Sequence, residues 1–574
     1  MPKNVYKPSC SLSKESQRKK RLVKNFTEIN EEISNNLGIN SVQQVEKCTT
    51  MNSREFTQEC STDFSNNDQS LMPLNTNILE TILIEQSSVI EVTQTINEPI
   101  LNINITDPYD FQNALASLIV SSRLPRNSAT KLLKLLKSVN NLECLKLLPM
   151  DSRTLLSTPR SGHVEINNIG GGQYIHFGIL NGLKYLLNTI NVQSLSVLEL
   201  WFNIDGLPIN KAANAAFWPI LCSLCINSSM EKPFIVGVYF GSKKPYYIEE
   251  YLFPFIDDLN DLIQNGFQFN NITLKVKIKG IIADAPARAF IKQVKSHSGY
   301  FGCEKCNEKG VYMSSSVCFP DGNAELRTDE SFLLRTNERH HMGVTPLLSI
   351  PGFGLVSSIP LDYMHLCCLG IMKRILHFLV RGTLVPSLYN GSVRLSRDQI
   401  NVINNRMKTV LKWMSSDFSR IPSDINDFHL YKATEFRQIL INTGPYLFKS
   451  ILSQTVYKNF IILNIFMRLL CCEKTVSSQN DLAADLAKNF LQSYCFIYGK
   501  GNASYNVHSI IHLANDAKKY GVLDNFSAFP FENYLQHVKK IIQSGPAPLV
   551  QLYNRIKEER ACLPPHPPIN HYPY

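Results

Sequence analysis

No stretch of this 574-residue sequence is apolar over eighteen consecutive positions. The nearest approach, NFIILNIFMRLLCC, is shorter and is interrupted by Arg468, so no transmembrane helix is expected. The opening residues, MPKNVYKPSC, lack the apolar centre of a secretory signal, which leaves the chain expected inside the cell. Its fifteen cysteines are odd in number and lack framework spacing. That excludes a disulfide scaffold and points to free thiols or metal ligands. Internal repeats are absent, as is a recognisable DNA-binding zinc finger near the N-terminus.

Charge, by contrast, is present and unevenly spread. Residues 1–25 carry eight Lys or Arg against one Glu, a net +7, and 26–110 carry fourteen acids against two bases, a net −12. The total of +10 therefore leaves +15 on residues 111–574. A basic body of that kind suits a polyanion such as nucleic acid, although an ordinary basic surface has the same composition. The run RKKR at 18–21 is a nuclear address or a loose phosphate contact on a solvated arm.

Composition divides the chain further. Residues 1–107 read as a basic arm and disordered linker, rich in Asn, Ser, Thr, Gln and Glu. A helical N-terminal region, 108–195, follows, with DFQNALASLIVSSRL and, after a Ser128 cap, ATKLLKLLKSV. Between 196 and 300, SVLELWFNID, FWPILCSLCI and PFIVGVYF read as three strands. YIEEYLFPFIDDLNDLIQNG reads as a helix closing on Gly266, and LKVKIKGIIAD as a fourth strand. This β-β-β-α-β order opens the RNase H-like fold, in which the first and fourth strands are neighbours. Asp205 and Asp284, at the ends of those strands, are then expected to meet. Residues 301–525 read as a mostly α-helical insertion, 526–560 as a closing helix that carries Glu532, and 561–574 as a C-terminal tail without assigned function. The class is α/β.

Two strand-end carboxylates and a third from a helix form a cluster that hard divalent cations neutralise. Oxygen ligands favour Mg²⁺ or Mn²⁺, and a two-metal site of this sort cuts and joins phosphodiesters. Asp205-Gly206 is also an ordinary turn signal, and Asp284-Ala-Pro an ordinary helix cap. Cys303 and Cys306 have the spacing of half a tetrahedral zinc site. His340 and His341 are nearby candidates to close it, but His508 and His512, one turn apart on one helix face, are better placed. Each pair adjoins one end of the insertion: Cys303 follows Asp284 by 19 residues, and His508 and His512 precede Glu532 by 24 and 20. LCSLC at 221–225 reads as core and GGGQY at 170–174 lacks the context of a phosphate loop.

DGLPI at 205–209, ADAPARAF at 283–290, HSGYFGCEKC at 297–306, PLDYMH at 360–365 and FPFENYL at 529–535 together resemble the cut-and-paste DDE transposases of the CACTA (EnSpm) type, especially their animal members. The likeness spans about 130–560 and rests on the order of the motifs. It implies an RNase H-like core split by an insertion, with Asp205, Asp284 and Glu532 as the catalytic, Mg²⁺- or Mn²⁺-binding acids. The family's Asp-x-x-His motif matches Asp362 to His365, implying a histidine at the scissile phosphate whose ring Asp362 orients; an Asp-initiated helix explains the same residues. The zinc spacing of Cys303, Cys306, His508 and His512 is similar to that of Transib transposases and V(D)J recombinase, and implies a structural zinc. The resemblance thus implies a nuclear transposase that cleaves and joins double-stranded DNA as a dimer or higher oligomer. The alternative is a domesticated, inactive relative that serves as a zinc-stabilised DNA-binding or interaction protein.

Overall fold

The computed structural model describes residues 108–562, apart from 140–141, 160–164, 189, 191–195, 211–214, 415–417, 419 and 543–546. The expected basic arm and linker at 1–107, and the tail beyond 562, lie outside the described residues. The fold is mixed α/β. Its sheet contains nine strands among the described residues: β1 (Asn167–Ile169), β2 (Gly172–His176), β3 (Val197–Ile204), β4 (Leu207–Asn210), β5 (Ala215–Ile226), β6 (Ser229–Met230), β7 (Phe234–Gly241), β8 (Phe267–Phe269) and β9 (Ile272–Ile282). The order is β1-β2-β7-β5-β3-β9-β8, with β4 and β6 also paired to β5.

The expected β-β-β-α-β succession is present as β3, β5, β7, helix Ile248–Asn265 and β9. β3 pairs antiparallel with β5 and parallel with β9, and β7 is antiparallel to β5. The ends of β3, β7 and β9 therefore open on one edge of the sheet, beside the start of β5. Both faces are covered, which is why these strands read as near-continuous apolar runs. Phe202 meets Phe255 of helix Ile248–Asn265 on one face, and Trp201 meets Tyr520 on the other. The Lys residues of β9 alternate outward until Gly280, where a Cβ would lie 2.5 Å from Trp201 and 2.7 Å from the Ser358 carbonyl.

Some expectations change. Region 108–195 is not wholly helical: after α1 (Pro108–Ser121) and α2 (Arg126–Lys137), the hairpin β1-β2 joins the sheet through β7. GGGQY supplies its turn, with Gly170 and Gly171 at positive φ. Pro125, not Ser128, sits at the N-cap of α2. The first strand does not simply stop at Asp205. The chain leaves the ladder at Asp205 and Gly206 and returns as β4 on the same strand, β5. Pro219, which has no N–H to donate, falls in β5 opposite this gap.

Helix Ile179–Leu187 is α3, Ile248–Asn265 is α4 and Ala285–Lys292 is α5. The region expected as an insertion is mostly helical. A π-helical segment, Met364–Met372, continues as α6 (Lys373–Arg381), followed by α7 (Arg397–Leu411), α8 (Gln454–Cys471), α9 (Asn480–Tyr498) and α10 (Tyr505–Tyr520). The acidic helix is α11 (Phe529–Ile541), and α12 (Pro548–Cys562) follows it. α12 returns to the beginning of the described chain through Glu558, which accepts from Arg126 at 2.9 Å. No helix among the described residues is long and apolar enough to cross a membrane.

Candidate functional site

Three of the expected side chains converge where β3 breaks. One ligand atom each from Asp205, His365 and Glu532 lies within 4.8 Å of the others. Asp284, two residues beyond β9, stands beside this group without belonging to it. Its Oδ1 accepts the Ala287 N–H at 2.7 Å and caps α5. Asp205 Oδ1 likewise accepts the Gly206 N–H at 2.6 Å. The ordinary turn and cap are thus both real, and each occupies one carboxylate oxygen only. Burial, then the charges of Asp284 and Glu532, push the Asp205 carboxyl up to about 8. Such a crowd of carboxylates is an unfavourable arrangement for a protein without a cation there.

His365 is the protein's own partial remedy. Its Nδ1 lies 2.7 Å from Asp362 Oδ2 and its Nε2 3.9 Å from Glu532 Oε1. Burial works against its charge, but Asp362, Asp205 and Glu532 outweigh that and push it up to about 9. Asp362 is fully buried and does more than orient the ring. The N–H groups of Met364, His365 and Ala528 donate to it at 3.3, 3.0 and 2.8 Å. Ala528 is the N-cap of α11, so one carboxylate ties His365 to the helix that carries Glu532. In Asp362→Asn an amide NH₂ must face some of those donors, and a loss of about 2–4 kcal/mol in urea unfolding is expected. A change within about 0.5 kcal/mol, the range of a neutral surface substitution, would contradict this clamp.

The acidic group has a pH signature of its own. The Asp205 carboxyl is higher in the fold than its ordinary 3.8, so metal-free stability falls as pH climbs from there towards about 8. His365 acts in the same sense, since its contribution is complete below 6.5 and is lost as pH rises through about 9. Asp205→Asn is expected to flatten this decline and to stabilise the metal-free protein by about 0.5–2 kcal/mol near neutral pH. Thermal melts across pH in chelator check it, and an Asn variant no more stable than wild type would refute the repulsion.

The second cluster is fully enclosed. Cys303, Cys306, His508 and His512 are all buried, and their ligand atoms lie within 4.8 Å of one another. Cys306 Sγ is 3.4 Å from Cys303 Sγ and 3.3 Å from His508 Nε2. Cys303 Sγ is 3.2 Å from His508 Nε2 and 3.6 Å from His512 Nε2, and the two Nε2 atoms are 3.3 Å apart. Tetrahedral zinc with bonds of about 2.3 Å to sulfur and about 2.0 Å to nitrogen has ligand-to-ligand edges of about 3.3–3.8 Å. The donors and spacing therefore fit zinc, with all four positions filled by protein. Glu308 Oε2 lies 3.3 Å from His508 Nδ1, the outer-sphere carboxylate that fixes a ligating imidazole. His340 and His341 do not join the cluster; His340 Nδ1 is instead 2.7 Å from the Phe301 carbonyl.

The two residues between the cysteines, Glu304 and Lys305, connect the two clusters. Glu304 accepts from Arg288 of α5 at 2.6 Å, from Lys292 at 3.0 Å and from Tyr505 at 2.6 Å. Although burial opposes its charge, Arg288 and Lys292 hold the Glu304 carboxyl well below its usual range. Lys305 donates to Asp516 of α10 at 2.8 Å, and the other Asp516 oxygen accepts the Leu361 N–H at 2.8 Å, next to Asp362. Sequence reading missed these groups. Their only early signal was charge placed beside cysteine inside GCEKC. No protein-family model matches the chain, and no curated protein does.

Proposed function

We propose that this chain is a DDE-type DNA transposase whose RNase H-like core cleaves and joins DNA at Asp205, Asp284 and Glu532, with a structural zinc at Cys303, Cys306, His508 and His512. The observation that carries the reading is the meeting of Asp205, just past the central strand β3, with His365 and with Glu532 of the distant helix α11, close to the charge of Asp284 two residues beyond the parallel neighbour β9. The strand order β7-β5-β3-β9, in which β3 pairs antiparallel with β5 and parallel with β9, supports the same fold assignment. Divalent metal held by the three acids would activate the attacking oxygen and stabilise the leaving one.

The chain's own residues do the rest. The break at Asp205–Gly206 turns the first acid out of the ladder, and the cap on α5 leaves one Asp284 oxygen for a metal. His365, kept cationic by Asp362, offers Nε2–H to a non-bridging phosphate oxygen. The +15 of residues 111–574 attracts the phosphate backbone. On this reading the protein works in the nucleus, as an oligomer on the paired ends of an element. The purified full chain is expected to nick plasmid DNA with Mn²⁺ or Mg²⁺ and not in chelator. Failure to nick in either metal would remove the catalytic reading.

A further inference from the structure

The edge that gathers the acids also carries the connection from β7 to α4, Ser242-Lys243-Lys244-Pro245-Tyr246-Tyr247. Lys243 and Lys244 are exposed, and so are Tyr246 and Tyr247, at 75% and 57%. Large aromatic rings left in water beside two lysines call for an explanation, all the more because the loop holding them is firmly anchored. Pro245 is buried. The Tyr246 N–H donates to the Gly170 carbonyl at 3.2 Å, and the Gly170 N–H donates to Glu250 at 2.9 Å. A Cβ at Gly170 would stand 2.9 Å from the Tyr246 nitrogen, so the triple-glycine turn is what lets the two backbones meet.

Lys244 is held in a particular direction. Its Nζ lies 5.1 Å from the centre of the Trp218 ring and 5.4 Å from that of Phe290, and donates to the Pro286 carbonyl at 3.4 Å. Trp218 in turn backs Gly206, where a Cβ would be 3.1 Å from the indole. The ammonium thus sits over the start of α5, within the electrostatic reach of both Asp284 and Asp205. Two ring faces attract the ammonium and fix the direction of its chain, while burial lowers its pKa and the charges of Asp284 and Asp205 oppose that.

From this arrangement we infer that the loop 242–247 grips the DNA strand beside the scissile phosphate: Lys244 contacts that phosphate, Lys243 the next one, and Tyr246 and Tyr247 pack on a flanking nucleotide. The inference rests on the DNA reading of the acidic site and assigns it a specific strand-holding element. Phosphate contacts supply affinity and salt dependence, and exposed tyrosines supply sequence-tolerant stacking.

The test is binding of the full chain to a fluorescently labelled plasmid-derived duplex, with Ca²⁺ replacing the catalytic metal, read by anisotropy across salt concentrations. Lys244→Ala is expected to weaken binding about 5- to 10-fold and to lower the salt slope by about one. Tyr246→Ala with Tyr247→Ala is expected to weaken it about 10-fold with the slope unchanged. Because these side chains are exposed and the anchoring to Gly170 is through backbone, melting temperature should hold in all variants. Wild-type affinity and slope in the variants would overturn the inference while leaving the DNA reading intact. A wild-type protein that binds no duplex would overturn both.

Discussion

Asp284→Asn is expected to abolish metal-dependent DNA cleavage, lowering the rate on the order of 10³-fold or more, while leaving the fold and DNA binding in place. Asn is the informative replacement because it separates the two tasks of this residue. An amide oxygen can still accept the Ala287 N–H that Asp284 accepts at 2.7 Å, and Asn is among the best caps. The negative charge, however, is gone. Asp284→Ala removes both, with a further loss of about 1 kcal/mol from the cap. Cleavage is measured on labelled duplex with Mg²⁺ and Mn²⁺, and binding separately with Ca²⁺. The same loss is expected for Asp205→Ala and Glu532→Ala. Cleavage that survives in Asp284→Asn would exclude Asp284 as a metal ligand and reduce the site to Asp205, His365 and Glu532, the three that lie within 4.8 Å of one another.

Removal of the zinc site is expected to have the second large effect, on stability first and on catalysis through it. Purified protein should hold about one zinc per chain, lost in Cys303→Ser and in His512→Ala, with the melting midpoint lowered by about 5–10 °C. The reason lies in what hangs from the cluster. Glu304 and Lys305, within the cysteine turn, hold α5 through Arg288 and Lys292 and hold Asp516 of α10. Asp516 fixes Leu361, next to the Asp362 that ties His365 to α11. Without the metal, buried charges that depend on this geometry lose partners, and broken buried pairs are strongly destabilising. The double variant Cys303→Ser, His512→Ala should be little worse than either single one, because the first already releases the ion. Zinc lost in His340→Ala and His341→Ala but retained in His508→Ala and His512→Ala would transfer the site to the other histidine pair.

Much of this site was legible because its signals are local. An apolar run ends where a carboxylate begins, so Asp205 and Asp284 could be set at strand ends. A strand–strand–strand–helix–strand order then made those ends neighbours. Cys-x-x-Cys and His-x-x-x-His each carry their own ligand geometry in a few residues, and α10 puts both histidines on one side as its period requires. Other parts had no such signal. The hairpin β1-β2 is short, polar and glycine-rich, and becomes a strand pair only because β7 lies open beside β2. β4 is only four residues long and follows directly on the Asp205-Gly206 turn signal, so no periodicity marks it as a strand.

Local pattern thus determined the class of the fold, the strand ends that bear carboxylates and the four residues of the buried Cys-His cluster, because periodicity and ligand spacing are properties of neighbouring residues. Only the tertiary structure decided how those pieces are coupled. Asp362 meets Ala528 across 166 positions, Lys305 meets Asp516 across 211, and Arg288 meets Tyr505 across 217. The orientation of Lys244 over Trp218 and Phe290 was likewise decided by the sheet edge to which its loop is anchored. Contacts between residues this far apart depend on which polar groups become buried together once the core has closed, and burial forces those groups to find one another.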